Sequence, residues 1–205
     1  MNIIPLGDHC APAMILKDLG YRNSSYPFDW FCYNSNNPSD SVIEFNIDLL
    51  LELLDNNNIN EIVHKLLGNK IDSKNKINNN LLIPHEEGTI EETNNKYIRR
   101  FTKLYKNIIN ENCNLFIIVL RCHEINYSKL VNLSNAITKY NINNKILLIT
   151  GIDNTKEINM LNLPNLHYKF IYYNKVKAWD EDYTSFRPKI KEFLNEYLKK
   201  YLNNF

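Results

Sequence analysis

The sequence predicts one α/β domain over residues 1–205, built on a layered, mostly parallel sheet flanked by helices. Three observations carry this prediction. Leu115 to Leu120 is an uninterrupted, β-branched-rich apolar run, and Ile146 to Ile149 is a second; such runs form strands buried on both faces. From Leu115 onward the pattern alternates strand, helix, strand, short helix, strand, helix. The chain also opens on a short apolar run, Ile3-Ile4-Pro5-Leu6, which turns at Gly7 and passes into a helix.

That opening helix shows Ala11, Met14, Ile15 and Leu19 on one face and stops at Gly20. Cys10 falls at or just before its first turn, where unpaired backbone N–H groups and the helix dipole favour a thiolate. A cysteine there is either a nucleophile or a small buried hydrophobe. Next, Tyr26-Pro27-Phe28-Asp29-Trp30 gathers aromatics around one carboxylate and returns the chain past the same helix end.

Asn34 to Ser39 reads as a loop. Ser41-Val42-Ile43-Glu44 fits a capping box for a helix carrying Leu49, Leu50, Leu53 and Leu54. A second helix runs from Ile59 to Leu67 and ends at Gly68. After a polar loop, Leu81-Leu82-Ile83 reads as a strand stopped by Pro84, with His85 just beyond, where either a catalytic imidazole or an ordinary loop histidine fits. Glu91 to Asn94 leads into a helix whose buried stripe is Tyr97, Phe101, Leu104, Tyr105 and Ile108, with Arg99, Arg100, Lys103 and Lys106 on a solvated face.

Arg121-Cys122-His123-Glu124 follows the first long strand, at the sheet edge where open α/β folds place ligands. Neighbouring strand residues point opposite ways, so we assign Arg121 to an anionic or carbonyl group and His123 a lesser role. Cys122-His123 lacks a second ligand pair, so no metal site is expected. Ser128 caps the next helix, with Leu130, Leu133, Ile137 and Tyr140 buried. Gly151 closes the second strand, Leu166 to Tyr173 forms a more exposed third, and the final helix starts near Pro188. Its stripe is Ile190, Phe193, Leu194, Tyr197, Leu198 and Tyr201.

Charge nearly cancels, at 24 basic against 23 acidic residues, which argues against nucleic acid as a partner. No membrane-spanning run or signal-peptide pattern is read. Four cysteines at irregular spacing, Cys10, Cys32, Cys113 and Cys122, suggest reduced thiols in a cytoplasmic setting rather than a disulfide framework. Heavy use of asparagine reflects compositional bias, so we read Asn56-Asn57-Asn58 and Asn78-Asn79-Asn80 as loop filler.

Leu6-Gly7-x-x-Cys10-x-x-Ala13, Leu19-Gly20-Tyr21-Arg22 and Ser25-Tyr26-Pro27-Phe28-Asp29-Trp30 together resemble the opening of a family of bacterial and large-DNA-virus proteins described as papain-like cysteine peptidases. Pro84-His85, Tyr97-x-x-Arg100-Phe101 and Val119-Leu120-Arg121 are similar to later parts of it. The resemblance implies cysteine-peptidase chemistry, a host-cytoplasmic setting for viral members, and a papain-like α+β fold with an antiparallel sheet. That fold conflicts with the alternation. Strand, Gly-Asp-x-nucleophile turn and helix also resemble serine esterases with a flavodoxin-like sheet, with Cys10 in place of serine; one chemistry can sit on several folds. Glu86 stands where the family pattern leads us to expect aspartate.

The leading expectation is a cofactor-free cysteine hydrolase or acyl-transferase acting on a peptide, protein or small acyl substrate. Cys10 attacks, His85 is base and acid, and Glu86, Asp29 or Asp8 orients the imidazole. Amides at the helix start hold the oxyanion. Asp8, Trp30 and Arg121 face the substrate. His9 is too near Cys10 in sequence to align easily as its base. A non-catalytic bacterial or viral effector is the alternative, supported by thirteen tyrosines and by Trp30 and Trp179 near acidic residues. Nucleotide or sugar handling lacks a Gly-rich phosphate loop.

Overall fold

Asn114 to Leu120 forms the longest strand, and every one of its residues is buried. A strand buried on both faces must be covered twice, and the pleat sends alternate side chains to opposite layers. The computed structural model describes residues 1–7, 10–33, 42–68, 81–83, 88–110, 113–122, 124–174 and 182–202. In chain order its elements are β1 (Asn2–Pro5), α1 (Ala11–Asp18), a 3-10 turn (Pro27–Trp30), β2 (Cys32–Tyr33), α2 (Ile43–Asn56) and α3 (Ile59–Leu67). They continue with β3 (Leu81–Leu82), α4 (Ile90–Ile109), β4 (Asn114–Leu120), α5 (Tyr127–Tyr140), β5 (Lys145–Thr150), α6 (Thr155–Met160), β6 (Leu166–Phe170) and α7 (Arg187–Leu202).

The main sheet has the order β1-β4-β5-β6 and is parallel throughout. Phe116, Ile118 and Leu120 join Ile146, Leu148 and Ile4 in a core shared with α2, α3, α4 and α5. Leu115, Ile117 and Val119 join Leu147 and Ile149 under Ile15 and Leu16 of α1 and Ile190, Leu194 and Leu198 of α7. The layered α/β arrangement is therefore the one formed. The papain-like α+β alternative is not: among the described residues, antiparallel pairing is confined to β2 and β3, where Cys32 opposes Leu82 and Tyr33 opposes Leu81. Among the described residues no helix is long and apolar enough to cross a membrane.

Several local expectations shift. In α1, Leu16 is buried and Met14 is exposed, because the helix turns its Ile15–Leu16 side toward β4 and α7. The cap of α2 is Val42, with no side-chain bond; Ser41 lies outside the described residues. Glu44 instead accepts the Asn126 amide at 2.9 Å and so ties α2 to α5. Asn126, not Ser128, caps α5, accepting the Ser128 amide at 3.0 Å. The reciprocal box belongs to α4, where the Glu92 amide donates to Thr89 Oγ1 (3.2 Å) and the Thr89 amide to Glu92 (2.7 Å).

At the far edge, Nδ1 of His167 on β6 and the Tyr197 hydroxyl of α7 share a 2.6 Å hydrogen bond. Burial pushes the His167 imidazole below its usual range, and Lys145 nearby acts in the same direction. A histidine that resists protonation only in the fold supports stability above its unfolded pKa and withdraws it as pH falls. Stability should thus drop between about pH 7 and pH 5, around the ordinary histidine value. The His167→Gln variant should show a flatter dependence by urea denaturation over that window. Core packing gives a second test. Ile118→Ala should cost about 2–5 kcal/mol of unfolding free energy, whereas Ile142→Ala, on an exposed side chain, should stay within about 0.5 kcal/mol.

Candidate functional site

The turn between β1 and α1 is held from three sides. The Leu6 amide still donates to Ile117 of β4 at 2.9 Å, but the Leu6 carbonyl leaves the sheet and accepts Nδ2 of Asn46, on α2, at 2.6 Å. Gly7 has φ +89°, and a Cβ there would lie 2.8 Å from Asn46 Nδ2 and 3.3 Å from the Phe28 carbonyl. Only glycine meets both conditions. Three residues on, Cys10 is the N-cap of α1: half-buried, with helical backbone angles (φ −79°, ψ −8°) and no side-chain capping bond. Its carbonyl accepts the Met14 amide at 2.9 Å. Pro12 has no N–H, so the first-turn amides left without a partner within the helix are those of Ala11 and Ala13. The thiol therefore stands at the C-terminal edge of a parallel sheet, beside helix-start donors. Asp8 and His9 lie outside the described residues.

Asp29, fully buried, belongs to the 3-10 turn. Its Oδ2 accepts the Tyr26 amide at 2.9 Å and Nη2 of Arg22 at 2.5 Å. Arg22 also donates to Ser25 Oγ (3.0 Å) and places its guanidinium 5.6 Å from the centre of the Trp30 ring. Burial pushes the Asp29 carboxyl above its usual range, against the opposing pull of Arg22, the Tyr26 amide and Arg100. Asp29 and Trp30 are thus brought together through Arg22, a partner the sequence reading did not name. The turn is fixed to α4 by ring packing: Phe31 stacks on Tyr97 at 5.7 Å and Phe28 meets Phe101 edge-on at 6.1 Å.

His85 and Glu86 lie outside the described residues, as do His123 and Trp179. Ile83 is fully buried in the core that also holds Phe28 and Phe31. Because β3 runs antiparallel to β2, its C-terminal end lies toward Phe31. Arg121 is buried at the end of β4, on the same sheet edge as Cys10. Gly151 makes that packing possible: a Cβ there would collide with the Arg121 carbonyl and sit 2.5 Å from Tyr173 Cβ. Cys122 is buried on the α1–α7 side. Asn46 also escaped the sequence reading, since asparagine was discounted by composition; its isolation on an apolar helix face was the available signal.

Removing one partner of a buried pair leaves the other charge uncompensated. Asp29→Ala should therefore destabilise the protein by about 3–5 kcal/mol in urea denaturation. Loss of a surface carboxylate would cost under about 1 kcal/mol.

No curated protein and no solved structure matches the chain. Residues 1–80 match a family model described as "Putative papain-like cysteine peptidase (DUF1796)", a stretch that contains the Gly7 turn, Cys10, Arg22, Asp29 and Asn46 and stops before β3.

Proposed function

We propose that the chain is a cysteine hydrolase, of peptidase or acyl-transferase type, with Cys10 as nucleophile. The observation that carries this reading is the place of Cys10: an uncapped, half-buried thiol at a helix start on the C-terminal edge of a parallel sheet. In this reading the Cys10 sulfur bonds to the substrate carbonyl carbon while His85 takes the thiol proton. The amides of Ala11 and Ala13 hold the carbonyl oxygen as it gains charge. The C–X bond then breaks, His85 protonates the leaving group, and a thioester remains. Water, deprotonated by His85, releases the acid and restores the thiol.

The arrival of the chain from β3 beside the aromatic turn, against which Gly7 also packs, supports bringing His85 toward Cys10. Asp29 is already bonded to Arg22 and the Tyr26 amide, so we assign the imidazole's partner to Glu86 or Asp8 and give Asp29 the task of fixing the turn. Arg121 and Trp30 would meet a peptide, protein or small acyl substrate. Four free thiols favour a reduced, cytoplasmic setting.

An activity-based thiol probe should label wild type at Cys10 near neutral pH faster than it labels free cysteine. Cys10→Ala should lose that label, and His85→Ala should lose most of it. A wild-type thiol no faster than free cysteine removes the hydrolase reading and leaves the binding-module alternative.

A further inference from the structure

We infer that Asn46 is a positioning residue of the Cys10 site, fixing the turn that carries the thiol; the inference rests on the proposed role of Cys10. Asn46 lies on the buried face of α2 among Ile43, Ile47 and Leu50. An amide in that company is costly unless it is bonded, and apolar residues fill every neighbouring buried position except its own. The bond it makes is specific. Strand pairing between β1 and β4 stops at Pro5 and Ile117. The Leu6 carbonyl then turns toward α2 and is taken by Asn46 Nδ2 at 2.6 Å. Without that donor, a buried carbonyl at the exit of the strand would have no partner there.

Asn46 and Gly7 form a matched pair. The amide fills the space a side chain at Gly7 would need, 2.8 Å from its Cβ position, and Gly7 supplies the positive φ that turns the chain toward Cys10. Val42, one helical turn before Asn46, and the Phe28 carbonyl close the same pocket at 3.8 and 3.3 Å. One side chain therefore decides where β1 ends and the direction in which the chain departs toward the thiol. The other end of the Asn46 amide is equally enclosed: its Oδ1 is buried and has no hydrogen-bond partner among the described residues. A buried acceptor left unpaired is costly, so an asparagine kept at this position needs a reason that stability does not supply.

The test measures iodoacetamide alkylation of Cys10 and, in the same sample, of Cys113, which precedes β4 at the opposite sheet edge, from about pH 5 to pH 9 across the usual thiol range. Wild type is compared with Asn46→Leu, which keeps the volume, adds no charge and removes the donor, and with Gly7→Ala, which disturbs the same contact from the other side. The expected result is a Cys10 rate at neutral pH lower by at least about tenfold, as expected for a thiol moved away from the helix-start donors. The midpoint of its pH–rate profile should shift, with Cys113 and the circular dichroism spectrum unchanged. Either folded variant with an unaltered Cys10 rate and profile overturns the inference while leaving the hydrolase reading intact. Equal acceleration of both thiols marks Asn46 as merely structural and also overturns it. A slow wild-type Cys10 removes the hydrolase reading, and this inference with it.

Discussion

The burial of β4 on both faces is the constraint on which the rest of the molecule depends. Seven successive residues without exposure cannot sit at an edge or under a single layer of helices. Each large apolar side chain among them contributes about 1.5–3 kcal/mol by leaving water, so both faces must be covered. The chain meets this demand by sending α1 and α7 to one side and α2, α3, α4 and α5 to the other. Parallel strands then point their C-terminal ends to one edge. The β1–α1 turn with Cys10 and the end of β4 with Arg121 arrive at that edge as a consequence of the layering.

What stands beside that edge is a set of buried polar contacts in an otherwise apolar interior. Asp29 is bound by Arg22 and the Tyr26 amide, and Asn46 by the Leu6 carbonyl; both lie next to Gly7, one through the Phe28 carbonyl and the other directly. Such groups add little net stability, because desolvation offsets most of what the bonds return. Their effect is to specify one path for the backbone. The aromatic sheet of Phe28, Phe31, Tyr97 and Phe101 gives the same turn a rigid backing on α4.

The main sheet's strands and most helices were legible because their burial patterns are regular, whereas the two-residue β2 was too short to read; α3, from Ile59 to Leu67, ends at Gly68 as read. Finer features were hidden for identifiable reasons. The apolar stripe of α1 was right in period but rotated, since Met14 and Leu16 are equally apolar and only contact with α7 decides between them. Caps slipped by a residue or two, as with Asn126 in place of Ser128. Compositional bias concealed single asparagines that hold the fold. Asn144 accepts the Asn114 amide at 2.9 Å and donates to Ile137 at 2.8 Å, and Asn165 accepts Ser134 Oγ at 2.6 Å. The Arg22–Asp29 pair was visible only as two charged residues seven apart. The resemblance also implied a papain-like antiparallel sheet, and the parallel sheet formed instead shows that a resemblance over the first strand and helix does not fix the architecture.

The central claim is that the Cys10 sulfur works with an imidazole supplied by the segment after β3. Treatment with 1,3-dibromoacetone, which alkylates a thiolate and then a nitrogen within a few ångströms, followed by peptide mapping, tests that pairing directly. One bridge is expected, between Cys10 and His85. Alkylation at Cys10 that stays unbridged, or bridges to another histidine, would contradict it.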